Sequence, residues 1–188
     1  NTTDGTERWN YTTSGDVWSS PAVVDGTVYL GSAYNYAYAL DVTDGSRRWS
    51  FQSDTPTNQF YSSPAVANGT FYIGGTDNHI YALDATTGSE HWHFRTDGAV
   101  YASPVVVDGT VYIGSNDGHI YALDAALGTE QWRFQTGTHV HASPSVTTDT
   151  VYLGSNDGYL YALNTTDGSQ RWRFRTNSTG ISSLTIVD

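Results

Sequence analysis

The chain has 188 residues, enough for one domain with a substantial hydrophobic core, and it contains no cysteine, which excludes disulfides and thiolate chemistry. Its 19 acidic residues against eight basic ones, all arginine, give a formal net charge of −11. Such a surface repels phosphates and anionic lipids, which argues against nucleic acid and membrane surfaces as partners. The composition also indicates adaptation to concentrated salt, and we interpret the source as a halophilic archaeon.

The sequence repeats with a period of about 40 residues, marked by five tryptophans at positions 9, 49, 92, 132 and 172. Each unit holds four short segments rich in Val, Ile and Tyr. Turn signals such as Asp108-Gly109 and Asn116-Asp117-Gly118 separate these segments and favour tight hairpins. One four-stranded sheet of this size cannot bury both of its faces alone, so the units must stack on one another. Radial stacking of such sheets gives a β-propeller.

In chain order, we predict an all-β propeller with one outer strand at about 6–12, four complete four-stranded antiparallel blades, and one inner strand at 180–187. The whole of 1–188 is expected to be one propeller or a fragment of a larger one, since four blades alone leave apolar flanks uncovered. The predicted units are a partial blade 1–15, blades 16–54, 55–97, 98–137 and 138–177, and a partial blade 178–188.

The segment 82–92, ALDATTGSEHW, resembles the tryptophan-docking motif of the quinoprotein-like, or PQQ-like, propeller family, and it returns at 39–49, 122–132 and 162–172, with a half copy at 4–9. We expect the Ala to leave room for the indole, the Gly to end a turn where a side chain would intrude, and the indole to donate its Nε1–H to neighbouring backbone. The predicted docking residues are Trp9, Trp49, Trp92, Trp132 and Trp172, Ala39, Ala82, Ala122 and Ala162, and Gly45, Gly88, Gly128 and Gly168.

The loops indicate which end of the blades carries function. In a meander, the loops between strands one and two and between strands three and four lie on one face, here called the first face, and their copies are nearly identical. The loops between strands two and three and the connections between blades lie on the second face, where blade 1 reads Ala33-Tyr34-Asn35-Tyr36 and the next connection is longer. The candidate rim around the axis on this face consists of Trp18, Tyr34, Tyr36, Phe60, Tyr61, Tyr101 and His141. These rings would either hold a planar ligand or peptide side chain or pack blade against blade.

For an enzyme, the resemblance implies pyrroloquinoline quinone at the axis beside calcium, with an Asp base, a Glu and Asn calcium pair, a disulfide of neighbouring cysteines and a Trp platform. The only glutamates, Glu7, Glu90 and Glu130, each precede a docking Trp by two residues on an outer strand. We therefore expect no catalytic, cofactor-binding or metal site in this chain. The pairs His91 and His93 and His139 and His141 are interpreted as surface residues.

These observations predict a non-catalytic scaffold that binds protein or peptide partners on its second face. The alternatives are a fragment of a quinone-dependent dehydrogenase and a carbohydrate or small-ligand module that uses the rim. No apolar stretch approaches the roughly 20 residues of a membrane helix. We expect an extracellular or cell-surface location, with a lipid anchor, where there is one, in a segment outside this chain.

Overall fold

The computed structural model describes residues 3–176, 178 and 183, and these residues form four separate antiparallel sheets of four strands each. The prediction of an all-β protein with propeller blades is therefore confirmed. The described residues contain no helix, and hence none that is long and apolar enough to cross a membrane.

Each blade is a meander, because the strands of every sheet lie side by side in chain order. Blade 1 contains β1 (Ala22–Val24), β2 (Thr27–Ser32), β3 (Tyr36–Asp41) and β4 (Arg47–Gln52). Blade 2 contains β5 (Ala65–Ala67), β6 (Thr70–Gly74), β7 (His79–Asp84) and β8 (Glu90–Arg95). Blade 3 contains β9 (Val105–Val107), β10 (Thr110–Gly114), β11 (His119–Asp124) and β12 (Glu130–Gln135). Blade 4 contains β13 (Ser145–Val146), β14 (Thr150–Gly154), β15 (Tyr159–Asn164) and β16 (Gln170–Arg175).

The first hairpin of a blade closes through residues with positive φ, as its sequence predicts. Asp108 and Gly109 have φ values of 47° and 76°, the left-handed geometry that matches the twist of the flanking strands. Blade 4 has Thr148 and Asp149 at these positions, and neither residue has a positive φ. The inner strand of this blade, β13, is only two residues long.

The hydrophobic core lies between blades rather than within one. The first core joins Tyr29 and Trp49 of blade 1 to Phe71, Tyr81 and Leu83 of blade 2. Equivalent cores join blade 2 to blade 3 and blade 3 to blade 4. The inner strands β1, β5, β9 and β13 adjoin one another in that order, which places them around a common axis.

The tryptophan motif holds each blade to the next one along the chain. The Trp49 indole donates its Nε1–H to the Ala85 carbonyl of blade 2 at 2.9 Å, and the Tyr29 hydroxyl donates to the same oxygen at 3.0 Å. A Cβ on Gly88 would lie 2.7 Å from the Trp49 ring, so this glycine makes room for the indole of the preceding blade. Within its own sheet Trp49 stands opposite Ala39, which is fully buried, as expected for the small residue of the motif.

The same pattern recurs at the other junctions. Trp92 donates to the Ala125 carbonyl at 3.1 Å and Trp132 to the Thr165 carbonyl at 2.9 Å. A Cβ on Gly128 would lie 2.5 Å from the Trp92 ring, and a Cβ on Gly168 equally close to the Trp132 ring. The motif therefore acts between neighbouring blades: one blade supplies the Trp, and the next blade supplies the Gly and the carbonyl that accepts the hydrogen bond.

The prediction of an outer strand at about 6–12 was wrong, because this segment forms no strand and no described strand lies beside it to complete a ladder. Trp9 nevertheless docks on blade 1, donating to the Val42 carbonyl at 2.9 Å and covering Gly45. The predicted inner strand at 180–187 lies outside the described residues. At the other flank, Trp172 and Phe174 are 44% and 62% exposed, since no described blade follows blade 4.

We expect Gly128→Ala to destabilise the protein more than Gly109→Ala. Both glycines have positive φ, 69° and 76°, so each substitution costs about 1 kcal/mol of backbone strain. Only Gly128 lies against a ring, and overpacking there costs about 1–3 kcal/mol more. Urea unfolding of the two variants measures the difference. Equal destabilisation would contradict the role of Gly128 in docking.

Candidate binding face

The structure brings four of the predicted rim residues together in one row on the second face, here called the aromatic row. Trp18 meets Tyr61 edge to face with ring centroids 6.2 Å apart. Tyr61 stacks on Tyr101 at 5.7 Å, and Tyr101 meets His141 at 5.3 Å. Each of the four blades contributes one ring, so the row follows the curve of the inner strands around the axis.

A ladder of serine hydrogen bonds fixes the row. The Ser20 amide donates to the Ser63 hydroxyl at 2.8 Å, and the Ser63 amide donates to the Ser103 hydroxyl at 3.0 Å. The Ser103 amide donates to the Ser143 hydroxyl at 2.9 Å, and the Ser143 amide donates to the Ser183 hydroxyl at 3.3 Å. Each of the first four serines lies two residues after a ring of the aromatic row. Because the ladder sets the spacing of the blades where the inner strands begin, it also sets the distances between the rings.

The row is exposed and carries no strong charge. Trp18 and Tyr101 are 68% and 38% exposed, His141 is also exposed, and Tyr61 is half-buried between Trp18 and Tyr101. Partial burial lowers the pKa of His141, and the stacked imidazole of His139 lowers it further. His141 is thus held in its neutral form near neutral pH, so the row presents ring faces and edges rather than ions.

Three predicted rim residues lie outside the row. Phe60 is 1% exposed and packs edge to face on Tyr81 in the core between blades 1 and 2, so its assignment to the rim was wrong. Phe60 packs against Gly31 of blade 1. Val100 and Val140 pack in the same way against a glycine of the preceding blade at the later junctions, so Phe60 takes the place of a core valine. Tyr36 is half-buried and stacks on Tyr38 at 5.8 Å.

Tyr34, the third of these residues, is 64% exposed and rests on Gly15 in the segment that leads to Trp18. It stands where blades 2 to 4 have a buried or half-buried aspartate. These aspartates, which sequence reasoning passed over, each accept a hydrogen bond from the tyrosine four residues later: Asp77 from Tyr81 at 2.6 Å, Asp117 from Tyr121 at 2.7 Å, and Asp157 from Tyr161 at 2.7 Å. The repeated Asp-x-x-x-Tyr spacing is the sequence signal that predicts them.

Asp117 shows what this contact does. Its carboxylate also accepts the amides of His119 and of Asp97, which lies in the connection leading into blade 3. Asp157 accepts the Gly137 amide in the same way. In blades 3 and 4 the aspartate therefore ties the loop between strands two and three to the connection that carries the ring of the same blade. In blade 1 the Tyr38 hydroxyl bonds to Ser14 instead, at 2.8 Å.

The protonation of these pairs follows from their hydrogen bonds. Burial alone would raise the pKa of Asp117, but the bonds donated by Tyr121 and by the two amides outweigh it and lower the pKa. Burial and the adjoining carboxylate both raise the pKa of the tyrosine partners, to about 12 for Tyr161. The pair is accordingly a carboxylate and a neutral phenol across the physiological pH range.

The described residues hold no group of three or more histidines and carboxylates placed to bind a metal ion. His93 pairs with Glu90 at 2.7 Å, and its ring meets His79 edge to face at 5.2 Å. Glu90 and Glu130 lie on the outer strands β8 and β12. Neither fits the axial calcium ligand that the family resemblance implies for a quinone site.

The four meander blades and their tryptophan motifs define a propeller with PQQ-like repeats, and aromatic rings line its second face. The chain belongs to the family described as outer membrane protein assembly factor BamB, whose model matches residues 1–67 and 56–185. The search of curated proteins found no significant match.

Solved structures share the fold at low sequence identity. BamB from Moraxella catarrhalis is 24% identical, with a TM-score of 0.80 over 92% of this chain and 54% of that one. The quinohemoprotein alcohol dehydrogenase ADHIIG from Pseudomonas putida HK5 is 22% identical, with a TM-score of 0.80 over 92% of this chain and 36% of the enzyme. The computationally designed protein Ika8 is 16% identical, with a TM-score of 0.80 over 89% of this chain and 52% of the designed one. This chain thus spans about half the length of the BamB structure, and the shared fold does not distinguish scaffold from enzyme.

We expect Asp117→Asn to destabilise the protein by about 1–3 kcal/mol at pH 7, because the tyrosine and amide donors lose a charged acceptor. The folded-state pKa of Asp117 lies below its unfolded value, so its contribution is complete above about pH 4 and is lost as the pH falls through the folded-state pKa. The difference from wild type should therefore shrink in acid. Urea unfolding from pH 7 to pH 2.5, with the exposed turn variant Asp25→Asn as control, tests this. A difference that is constant with pH would contradict it.

Proposed function

We propose that this chain is a non-catalytic propeller scaffold that binds protein or peptide partners on its second face. The observation that carries the proposal is the aromatic row, in which four rings from four blades adjoin one another and stay accessible. Trp and Tyr side chains with large accessible rings are the typical energetic centres of protein interfaces. A soluble protein seldom leaves such rings contiguous and exposed without a partner.

The family supports a partner-binding role, since its description names an assembly factor for outer membrane proteins. It also supports our proposal of an extracellular or cell-surface location. The net charge of −11 and the absence of lysine agree with a protein that works in concentrated salt, where the screening length falls to a few Å. The positions of Glu90 and Glu130 argue against the quinone dehydrogenase alternative for this chain.

Selection from a random library of twelve-residue peptides tests the proposal. We expect selected peptides to bind the wild-type protein and to lose at least tenfold in affinity for the Trp18→Ala, Tyr101→Ala double variant, because two exposed rings of the row are removed. The control is Phe174→Ala, which deletes an exposed ring from the outer strand β16 and should change affinity less than twofold. Peptides whose affinity falls only in the control would place the interface elsewhere.

The alternatives have their own tests. If the protein binds glycans on an array, the Trp18→Ala, Tyr61→Ala double variant abolishes that binding and the library yields no peptide, the chain is a carbohydrate-binding module instead. Titration with pyrroloquinoline quinone and calcium, followed by tryptophan fluorescence, addresses the enzyme. Saturable stoichiometric binding would overturn the scaffold proposal, and we expect none.

A further inference from the structure

The connections that carry the aromatic row contribute carboxylates close to two of its rings. Asp16 lies two residues before Trp18 and Asp97 four residues before Tyr101, and both are exposed, whereas the exposed Asp54 of the second connection lies farther out, beside Glu90 and His93. The described connections at 13–20, 53–63, 96–103 and 136–143 contain no arginine, and neither do the loops at 32–36, 75–79, 115–119 and 155–159. A ligand approaching this face therefore meets ring faces and carboxylates, within the field of a chain whose net charge is −11.

We infer that the partner of the aromatic row is an extended peptide segment that carries arginine side chains. This inference rests on the proposed function and adds the chemistry of the partner to it. A guanidinium is attracted to the electron-rich face of an aromatic ring and, being planar, also stacks on it. It can at the same time donate charge-assisted hydrogen bonds to a carboxylate, which are stronger than those of a neutral donor.

The spacing of the row suits such a segment. Adjacent ring centroids lie 5.3–6.2 Å apart. Side chains on one side of an extended strand recur about every 6.6 Å. Arginines at alternate positions would thus reach successive rings, with the residues between them facing solvent.

One contact inside the protein agrees with a guanidinium partner. The Arg173 guanidinium lies 4.6 Å from the centre of the Tyr159 ring on the outer part of blade 4, so this protein already uses such a contact internally.

The test compares two peptides of the same shape, one alternating glycine with arginine and the other alternating glycine with citrulline. Citrulline keeps the planar head group and most of its N–H donors but has no charge. We expect the arginine peptide to bind at least tenfold more tightly, as measured by fluorescence anisotropy of a dye on the peptide. Tyr101→Ala should weaken its binding about tenfold and Asp97→Asn several-fold, whereas Phe174→Ala should leave it unchanged.

Equal affinity for the two peptides would overturn the inference. So would failure of both peptides to bind while library-selected peptides without arginine bind the wild type and lose affinity in Trp18→Ala, Tyr101→Ala; in that case the proposed function stands and only the partner chemistry is wrong. If the library also gives no peptide sensitive to the double variant, both the inference and the proposed function fail.

Discussion

The structure depends on one repeated contact, in which a single backbone carbonyl accepts two hydrogen bonds from the preceding blade. The Ala85 oxygen takes the Trp49 indole N–H and the Tyr29 hydroxyl, and the Ala125 oxygen takes those of Trp92 and Tyr72. Both donors come from rings that fill the core between blades, so the polar ends of those rings are satisfied as their apolar bodies are buried. The glycine beside each carbonyl allows this approach. A blade is thereby fixed in both distance and orientation relative to the next.

Fixing the blades also fixes the second face. The serine ladder connects the inner strands near the axis, while Asp117 and Asp157 tie the connections into blades 3 and 4 to the loops beside them. A ring of the aromatic row needs little further support, because the backbone on either side of it is already held. In blade 1 Tyr34 replaces the aspartate on this face, and the connection to blade 2 is longer and folds around the buried Asn58. Both departures lie on the face that we propose for a partner.

The sequence predicted the repeat, the sheets and the motif residues, since Trp, Gly and the hairpin turns recur at a constant period. It did not show that the Trp of one blade uses the Gly of the next, because equal repeats leave the identity of the partner copy undetermined. Phe60 was assigned to the rim together with the longer connection, although it directly precedes Tyr61 as Val100 directly precedes Tyr101. It therefore holds the place of a core valine. The segment at 6–12 has the residues of an outer strand, yet strand formation needs a neighbouring ladder that the described residues do not contain. The rings of the aromatic row could be aligned from the repeat, whereas their contacts and exposure required the structure.

Hydrogen exchange of the wild-type protein, with and without a library-selected peptide, tests most directly whether the second face is the binding surface. We expect slower exchange in the connections that carry Trp18, Tyr61, Tyr101 and His141, and no change in the first-face turns at 25–26, 68–69 and 108–109. Protection confined to those turns or to the outer strands β4, β8, β12 and β16 would contradict it.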